Sequence, residues 1–156
     1  MIKRLIAYLF ILVPLSAVFV IGLESEARSD VKIKLAGRVL NVEVAKTPLA
    51  QEKGLSGRAG LKPGSSMLFV FPAPNYYGFW MKDMKFSIDI IWVEQGKVVE
   101  IAANTPPDDS PDRPIYRPRE PASLVIEVPA GFSQKYGLKV GDRVEVLTKS
   151  FKFSKL

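Results

Sequence analysis

The chain has 156 residues and a formal net charge of +6, which fits one folded domain behind a leader segment. It contains no cysteine and no histidine, so this chain alone cannot build a disulfide, a thiolate nucleophile, a zinc or haem site, or a Ser-His-Asp triad. Carboxylates, lysines, hydroxyls and backbone amides remain for chemistry, and we expect no cofactor and no metal site.

The first 27 residues are predicted to be a leader. Lys3 and Arg4 precede an uncharged stretch over residues 5–23, close to the roughly 20 apolar residues that a membrane-spanning helix needs. Small residues at Ser25 and Ala27 are typical of a cleavage site, so residues 1–27 form either a signal peptide or a retained membrane anchor. Positive charge before the apolar stretch predicts an extracytoplasmic domain, which is periplasmic, on the outer face of the cytoplasmic membrane, or secreted.

Residues 28–148 are predicted to form a single β-rich domain. Alternating or continuous apolar runs between Gly and Pro residues predict strands over residues 31–35, 40–44, 67–71, 79–81, 88–93, 97–102, 123–128 and 143–147. Thr47-Pro48 and Gly137 are helix boundary signals, and they predict short helices over residues 48–55 and 130–136. The predicted fold class is mainly β (β-rich α+β), a compact and largely antiparallel sheet or small barrel with two short helices.

Two other segments are predicted to lack regular structure. Residues 104–121 hold six of the 12 prolines, which excludes a helix or an inner strand. A loop of this length is either a lid over a binding site or a passive cover of a sheet edge. Residues 149–156 are a basic tail with Lys149, Lys152 and Lys155, expected to be solvated. We expect no nucleic-acid partner, because an exported protein rarely meets one.

The order of the motifs is similar to that of a known family. The motifs are Gly54-Leu55-x-x-Arg58, the apolar run 67–71, Phe79-Trp80-Met81-Lys82, the strand 88–93, Val125-Ile126-Glu127-Val128-Pro129-Ala130-Gly131-Phe132, and Gly137-Leu138-Lys139-x-Gly141-Asp142. Together they resemble the domain of unknown function 192 family over residues 31–147. The resemblance implies a compact, mainly β domain, common in prokaryotes and often behind an export signal. It implies no reaction, ligand or catalytic residue.

Charged residues inside apolar strands are the candidate site. Asp89 and Glu127 each lie in an apolar run and need partners, because burying an isolated charge is costly. Arg58, Lys82 and Lys85 are the expected partners. One alternative is a structural ion pair. The other is a pocket lined by Trp80, where Arg58 or Lys82 holds an anionic or sugar-like ligand, Asp89 is an acid–base or orienting group, and Glu127 completes the candidate binding set.

Three functions remain open, and the sequence does not decide whether the protein is an enzyme. The first is a non-catalytic binding or accessory module for a small-molecule, glycan or envelope-protein ligand, with membrane contact through the leader if it is uncleaved. The alternative is a hydrolase or lyase that acts on glycans or envelope polymers through Asp89 and Glu127, which requires carboxylates about 5 to 10 Å apart in a cleft. The third is an interaction protein that uses an exposed sheet edge.

A reporter fused after Leu156 tests the predicted location. Lys3 and Arg4 are expected to keep the N-terminus in the cytoplasm, so alkaline phosphatase in this position should be active in cells. The same fusion lacking residues 1–27 is the control and should be inactive. An inactive phosphatase fusion to the full chain, with no chain in the membrane or outside it, would contradict the predicted location.

Overall fold

The computed structural model describes residues 28–148, which form seven strands and two short helices. In chain order the elements are β1 Arg28–Leu35, β2 Arg38–Ala45, α1 Pro48–Lys53, β3 Ser65–Asn75, β4 Ile88–Glu94, β5 Lys97–Thr105, β6 Ala122–Pro129, α2 Phe132–Tyr136 and β7 Val144–Val146. The predicted leader 1–27 and basic tail 149–156 lie outside the described residues. Among those described residues, neither helix has the length and apolar character that crossing a membrane takes.

The seven strands form one curled half-barrel sheet in the order β5-β4-β6-β3-β2-β1-β7. The pairs are antiparallel except β2 with β3, which run parallel. At one end, the edge strand β5 meets the turn that precedes the other edge strand, β7, where Val98 N donates to Asp142 O at 2.9 Å and Gly141 N donates to Val98 O at 2.8 Å. These findings confirm the predicted fold class, which was a mainly β, largely antiparallel domain with two short helices.

Side chains that alternate along the strands build a core on each face of the sheet. One core packs around α2 and includes Ile91, Ile126 and Phe132, and we call this side the α2 face. The other core includes Phe69 and Trp92 and is covered by α1 and the segment 76–88, and we call this side the α1 face. The central strands β3, β4 and β6 are therefore buried on both sides, as the apolar run in β3 predicted.

The predicted strand over residues 79–81 is wrong. Phe79 makes a single antiparallel bridge with Tyr116, and the ladder goes no further. Tyr116 lies between Pro114 and Pro118, and proline has no N–H to donate, so the proline-rich loop cannot continue the pairing. Conversely, β3 runs past Pro72 to Asn75, because the ladder with β6 is interrupted between Val70 and Asn75 and the missing N–H costs no bond there.

Candidate functional site

An open cavity of about 310 Å³ lies on the α1 face, between helix α1 and the segment that follows β3, and we call it the α1 cavity. Five aromatic residues line it together with the end of α1 and Glu127 of β6. The lining residues are Gln51, Glu52, Lys53, Gly54, Leu55, Ser56, Phe69, Phe71, Tyr77, Gly78, Phe79, Trp80, Met84 and Glu127. A cavity of this volume has the size of a small-ligand site.

Helix α1 forms one wall of the cavity. A capped start, a hydrogen bond from Gln51 and a close approach at Gly54 fix its position against the sheet. Thr47 Oγ1 accepts a hydrogen bond from Ala50 N at 3.2 Å, which caps the helix start. Gln51 Nε2 donates to Val70 O at 2.7 Å and ties the helix to β3. At the helix end, Gly54 has φ +47°, and a Cβ there would lie 3.3 Å from Phe69 Cζ, so only glycine permits this approach without strain.

The opposite wall is a set of interlocking aromatic rings. Phe71 stacks on Tyr77 with ring centroids 3.6 Å apart, while Phe79 meets Phe69 edge to face at 4.9 Å. Phe79 also meets the buried Trp92 at 5.9 Å, and Trp92 Nε1 donates to Tyr77 O at 3.0 Å. The wall is therefore anchored to β3 and β4 rather than suspended as a free loop.

The proline-rich loop forms hydrogen bonds with the segment that carries this aromatic wall. Phe79 N donates to Tyr116 O at 2.9 Å, and Tyr116 N donates to Phe79 O at 2.8 Å. Arg117 Nη1 donates to Tyr76 O at 2.8 Å, and Asp109 Oδ1 accepts from Asp83 N at 2.6 Å. The loop was predicted to be either a lid or a passive cover, and these contacts give it a third role, as a brace for one wall of the cavity.

The two walls are joined at the mouth of the cavity. Gly57 N donates to Asp83 O at 2.8 Å, and Ser56 Oγ donates to Lys82 O at 3.1 Å. A second hollow of about 300 Å³ adjoins this junction, and Trp80 and Lys82 are among its lining residues. The Trp80 side chain is half exposed, so it forms the rim rather than the floor of the α1 cavity.

Glu127 is the buried polar group of the α1 cavity. It lies on β6 between Met67 of β3 and Ile90 of β4, and only 5% of the residue is exposed. Its Oε2 atom has no hydrogen-bond partner within residues 28–148. Burial raises the pKa of the Glu127 carboxyl to about 8, although the positive charge of Arg58 acts in the opposite direction. The group is therefore mostly protonated at neutral pH.

Arg58 pairs with Glu43, which was not among the predicted site residues. Its Nη1 donates to Glu43 Oε2 at 2.7 Å and its Nη2 donates to Glu43 Oε1 at 2.5 Å. The hydrogen bond from Arg58 holds the pKa of Glu43 below its ordinary value, and the same bond raises the pKa of Arg58. With two of its donors taken, Arg58 is not the partner of Asp89 or Glu127 that we expected.

Asp89 lies on the α2 face and not in the α1 cavity. It is fully buried, and its Oδ1 accepts from Asn104 N at 2.8 Å and from Gly131 N at 3.0 Å. Its Oδ2 accepts from Ser133 N at 2.7 Å. Asp89 thus ties β4 to β5 and to the start of α2 through three backbone donors, and the expectation that it would converge with Lys82 and Arg58 is wrong.

The position of Asp89 also bears on the hydrolase alternative. Asp89 pairs with Val128, and Glu127 pairs with Ile90, so the two carboxylates occupy neighbouring positions of adjacent strands. Successive side chains of a strand point to opposite faces, and the two groups are separated by the sheet itself. They cannot flank one scissile bond, and the geometry gives no support to a two-carboxylate mechanism.

Of the five predicted site residues, the structure therefore places Trp80 and Glu127 in the lining of the α1 cavity and Lys82 at its mouth. Arg58 lies beside the cavity, bound to Glu43, and Asp89 lies on the other face. Their roles in binding stay predictions. Glu43 and the α1 residues were missed, because the parallel pairing of β2 with β3 that brings them here has no local sequence signal.

Comparison with known proteins places the chain in a family. The model of domain of unknown function 192, described as an uncharacterized ACR, matches residues 31–146. The chain belongs to this family. The resemblance found in the motifs is thereby confirmed, and the family description assigns no activity to any residue of the cavity.

Relatives of the family share the fold as well as the sequence. A UPF0127 protein of Pyrococcus abyssi is 33% identical over 93 residues, which cover 55% of this chain and 71% of that protein. A Novosphingobium aromaticivorans protein of unknown function has a crystal structure with a TM-score of 0.66 at 33% identity, covering 74% of this chain and 82% of that chain. A Sinorhizobium meliloti structure, described as a candidate transcription regulator, has a TM-score of 0.67 at 32% identity, with coverage of 74% and 91%.

Replacing Asp89 by Ala should lower the stability of the domain, because Asp89 has a structural role. Three backbone donors, one buried and two partly buried, would lose their acceptor, so we expect the free energy of unfolding in urea to fall by at least about 3 kcal/mol. Asp112→Ala, at an exposed carboxylate in the proline-rich loop, is the matched control and should change it by less than about 0.5 kcal/mol. A variant at Asp89 that keeps the wild-type stability would contradict this structural role.

Proposed function

We propose that the domain is a non-catalytic binding module that takes a small ligand into the α1 cavity, with Glu127 as its polar anchor. The observation that carries the proposal is the Glu127 carboxyl, which is buried, lacks a partner for Oε2 within the described chain, and lines an open cavity. Buried polar groups are normally hydrogen-bonded, so an exception beside a cavity points to a partner that enters it.

The energetics support a functional rather than a structural role for this carboxyl. A buried polar group without a partner costs about 1 to 3 kcal/mol, and an apolar residue would fill the position between Met67 and Ile90 without that cost. Asp89 shows the contrast, since its three backbone hydrogen bonds compensate its burial. Glu127 contributes nothing comparable to the fold, and a ligand that meets its carboxyl would explain its position.

The composition of the cavity favours binding over catalysis. Its lining holds aromatic rings and, besides Glu127, the ionisable residues Glu52, Lys53 and Tyr77, of which the first two are exposed on α1. The carboxylate expected to act with Glu127 in a hydrolase, Asp89, is on the other face of the sheet. A largely aromatic lining with a few polar groups at its edge and one buried carboxyl is typical of a site that holds and orients a small molecule.

The proposal includes an extracytoplasmic place of action. It is supported by Lys3 and Arg4 before the uncharged stretch 5–23, and the phosphatase fusion described above tests it independently of the cavity. The ligand on this view is a molecule of the periplasm, the envelope or the medium.

Glu127→Leu tests the proposed role through stability and binding together. Removing the unpartnered carboxyl should raise the free energy of unfolding of the full chain by about 1 to 3 kcal/mol at pH 7. The methyl group of Met84, which lines the cavity, is a carbon-13 NMR probe of ligand entry for a library of neutral and charged fragments. Fragments should shift the Met84 signal of the wild type, and part of these shifts should be lost in the variant.

Two controls sharpen this experiment. Glu120→Leu, at an exposed glutamate outside the cavity lining, should leave the Met84 shifts unchanged. Because folding raises the pKa of Glu127, the free energy of unfolding should fall as pH rises from the ordinary glutamate pKa to about 8, and only the wild type and the Glu120 variant should show this loss. A large destabilisation by Glu127→Leu, or a library without any fragment that reaches Met84, would overturn the proposed function.

A further inference from the structure

We infer that the ligand of the α1 cavity is a small organic cation whose ammonium group pairs with the Glu127 carboxylate and contacts the aromatic wall. The inference rests on the proposed function, because it names the chemical class of ligand for the same cavity. Its two supports are the residues that line the cavity and the balance of charge around Glu127.

The lining has the composition of an ammonium site. Phe69, Phe71, Tyr77, Phe79 and Trp80 line the same cavity as Glu127. Aromatic rings attract cations through their quadrupoles, and aromatic cages are a known means of binding alkylated ammonium groups. The aromatic rings supply contact for the apolar substituents of such a cation, and Glu127 supplies the opposite charge. A cavity of about 310 Å³ has room for a small alkylammonium ion.

The charges that surround Glu127 leave its carboxylate uncompensated. On β3 and β4 its strand neighbours are Met67 and Ile90, both apolar. Arg58 is the cation whose charge reaches Glu127, and the two hydrogen bonds from Arg58 to Glu43 of β2 neutralise it locally.

The remaining charged groups lie towards solvent. Helix α1 presents Glu52 and Lys53, which are adjacent, exposed and of opposite sign. The segment after β3 carries Lys82 and Asp83, again adjacent and of opposite sign, in the hollow at the mouth. Within the described residues, Arg58 is the charged group that acts on the pKa of Glu127, and Glu43 binds Arg58, so an anionic ligand held by Arg58, the sequence-based alternative, is not favoured.

Proton linkage gives the inference a specific signature. In the free domain Glu127 is mostly protonated at neutral pH, so an incoming cation must displace one proton to form the ion pair. The apparent affinity for the cation should then rise by about tenfold per pH unit up to the pKa of the free carboxyl and level off above it. A neutral ligand that accepts a hydrogen bond from the protonated acid should show the opposite pH dependence. Its affinity should fall as Glu127 ionises, because the donated hydrogen bond is then lost.

Choline and 3,3-dimethylbutan-1-ol form a matched pair of probes, because they have nearly the same shape and differ in charge. Titration calorimetry with the full chain, in detergent if the leader is retained, should show choline binding more than about tenfold tighter at pH 8 than at pH 6. The neutral alcohol should bind more weakly than choline at pH 8. Glu127→Gln should remove the pH dependence and most of the affinity for choline, whereas Glu120→Gln should change neither.

The source of the ammonium group is a separate arm of the test. Vesicles of phosphatidylcholine that bind through Glu127 would assign the cation to a lipid headgroup, and free choline binding without vesicle binding would assign it to a free solute. Either result supports an ammonium ligand.

Two results would overturn the inference. The first is choline binding that is absent, or that is as strong at pH 6 as at pH 8. The second is binding of the neutral alcohol in preference to choline. Binding of the alcohol with a shift of the Met84 methyl signal would still support a ligand site in the α1 cavity, so failure of the ammonium inference is distinguishable from failure of the proposed function.

Discussion

The alternation of side chains along β4 and β6 decides what each of the two buried carboxylates can do. Asp89 and Val128 point to the α2 face, while Glu127 and Ile90 point to the α1 face. On the α2 face, the backbone bends with positive φ at Asn104 and brings donors to Asp89. On the α1 face, Glu127 lies between Met67 and Ile90, and its Oε2 has no hydrogen-bond partner within residues 28–148. The same sheet thus makes Asp89 a structural tie and leaves Glu127 available for the ligand that we propose.

The shape of the α1 cavity depends on the contacts that fix the positions of its two walls. Helix α1 is only six residues long and holds its place through Gln51 and the close approach of Gly54 to Phe69. The aromatic wall follows β3 and is braced by the proline-rich loop through Tyr116 and Arg117. A proline-rich loop loses little conformational entropy on folding. This property suits a segment that holds a cavity wall in place without forming a helix or an inner strand.

The sequence predicted the elements of the fold better than the site. Apolar alternation located the hairpin of β1 and β2, the apolar run marked β3 as central, and Thr47-Pro48 marked the start of α1, because these signals are local. The sequence also identified Glu127 as a buried charge that needs a partner. It could not show that Arg58 would be taken by Glu43, since that contact depends on the non-local parallel pairing of β2 with β3. It grouped Asp89 with the wrong residues for the same reason, because the face on which a strand residue lies is decided by the strands that pair with it.

Carbon-13 NMR titration of the Glu127 side-chain carboxyl in the ligand-free full chain tests the central claim most directly. Glu127→Gln identifies the resonance by its disappearance, and the chemical shift followed against pH gives the pKa without any assumption about the ligand. We expect a pKa of about 8 for this carboxyl, since its burial, with no partner for Oε2 among the described residues, disfavours its ionised form. A pKa below about 5, near that of an ordinary glutamate, would show that the carboxyl is solvated or paired and would contradict the account.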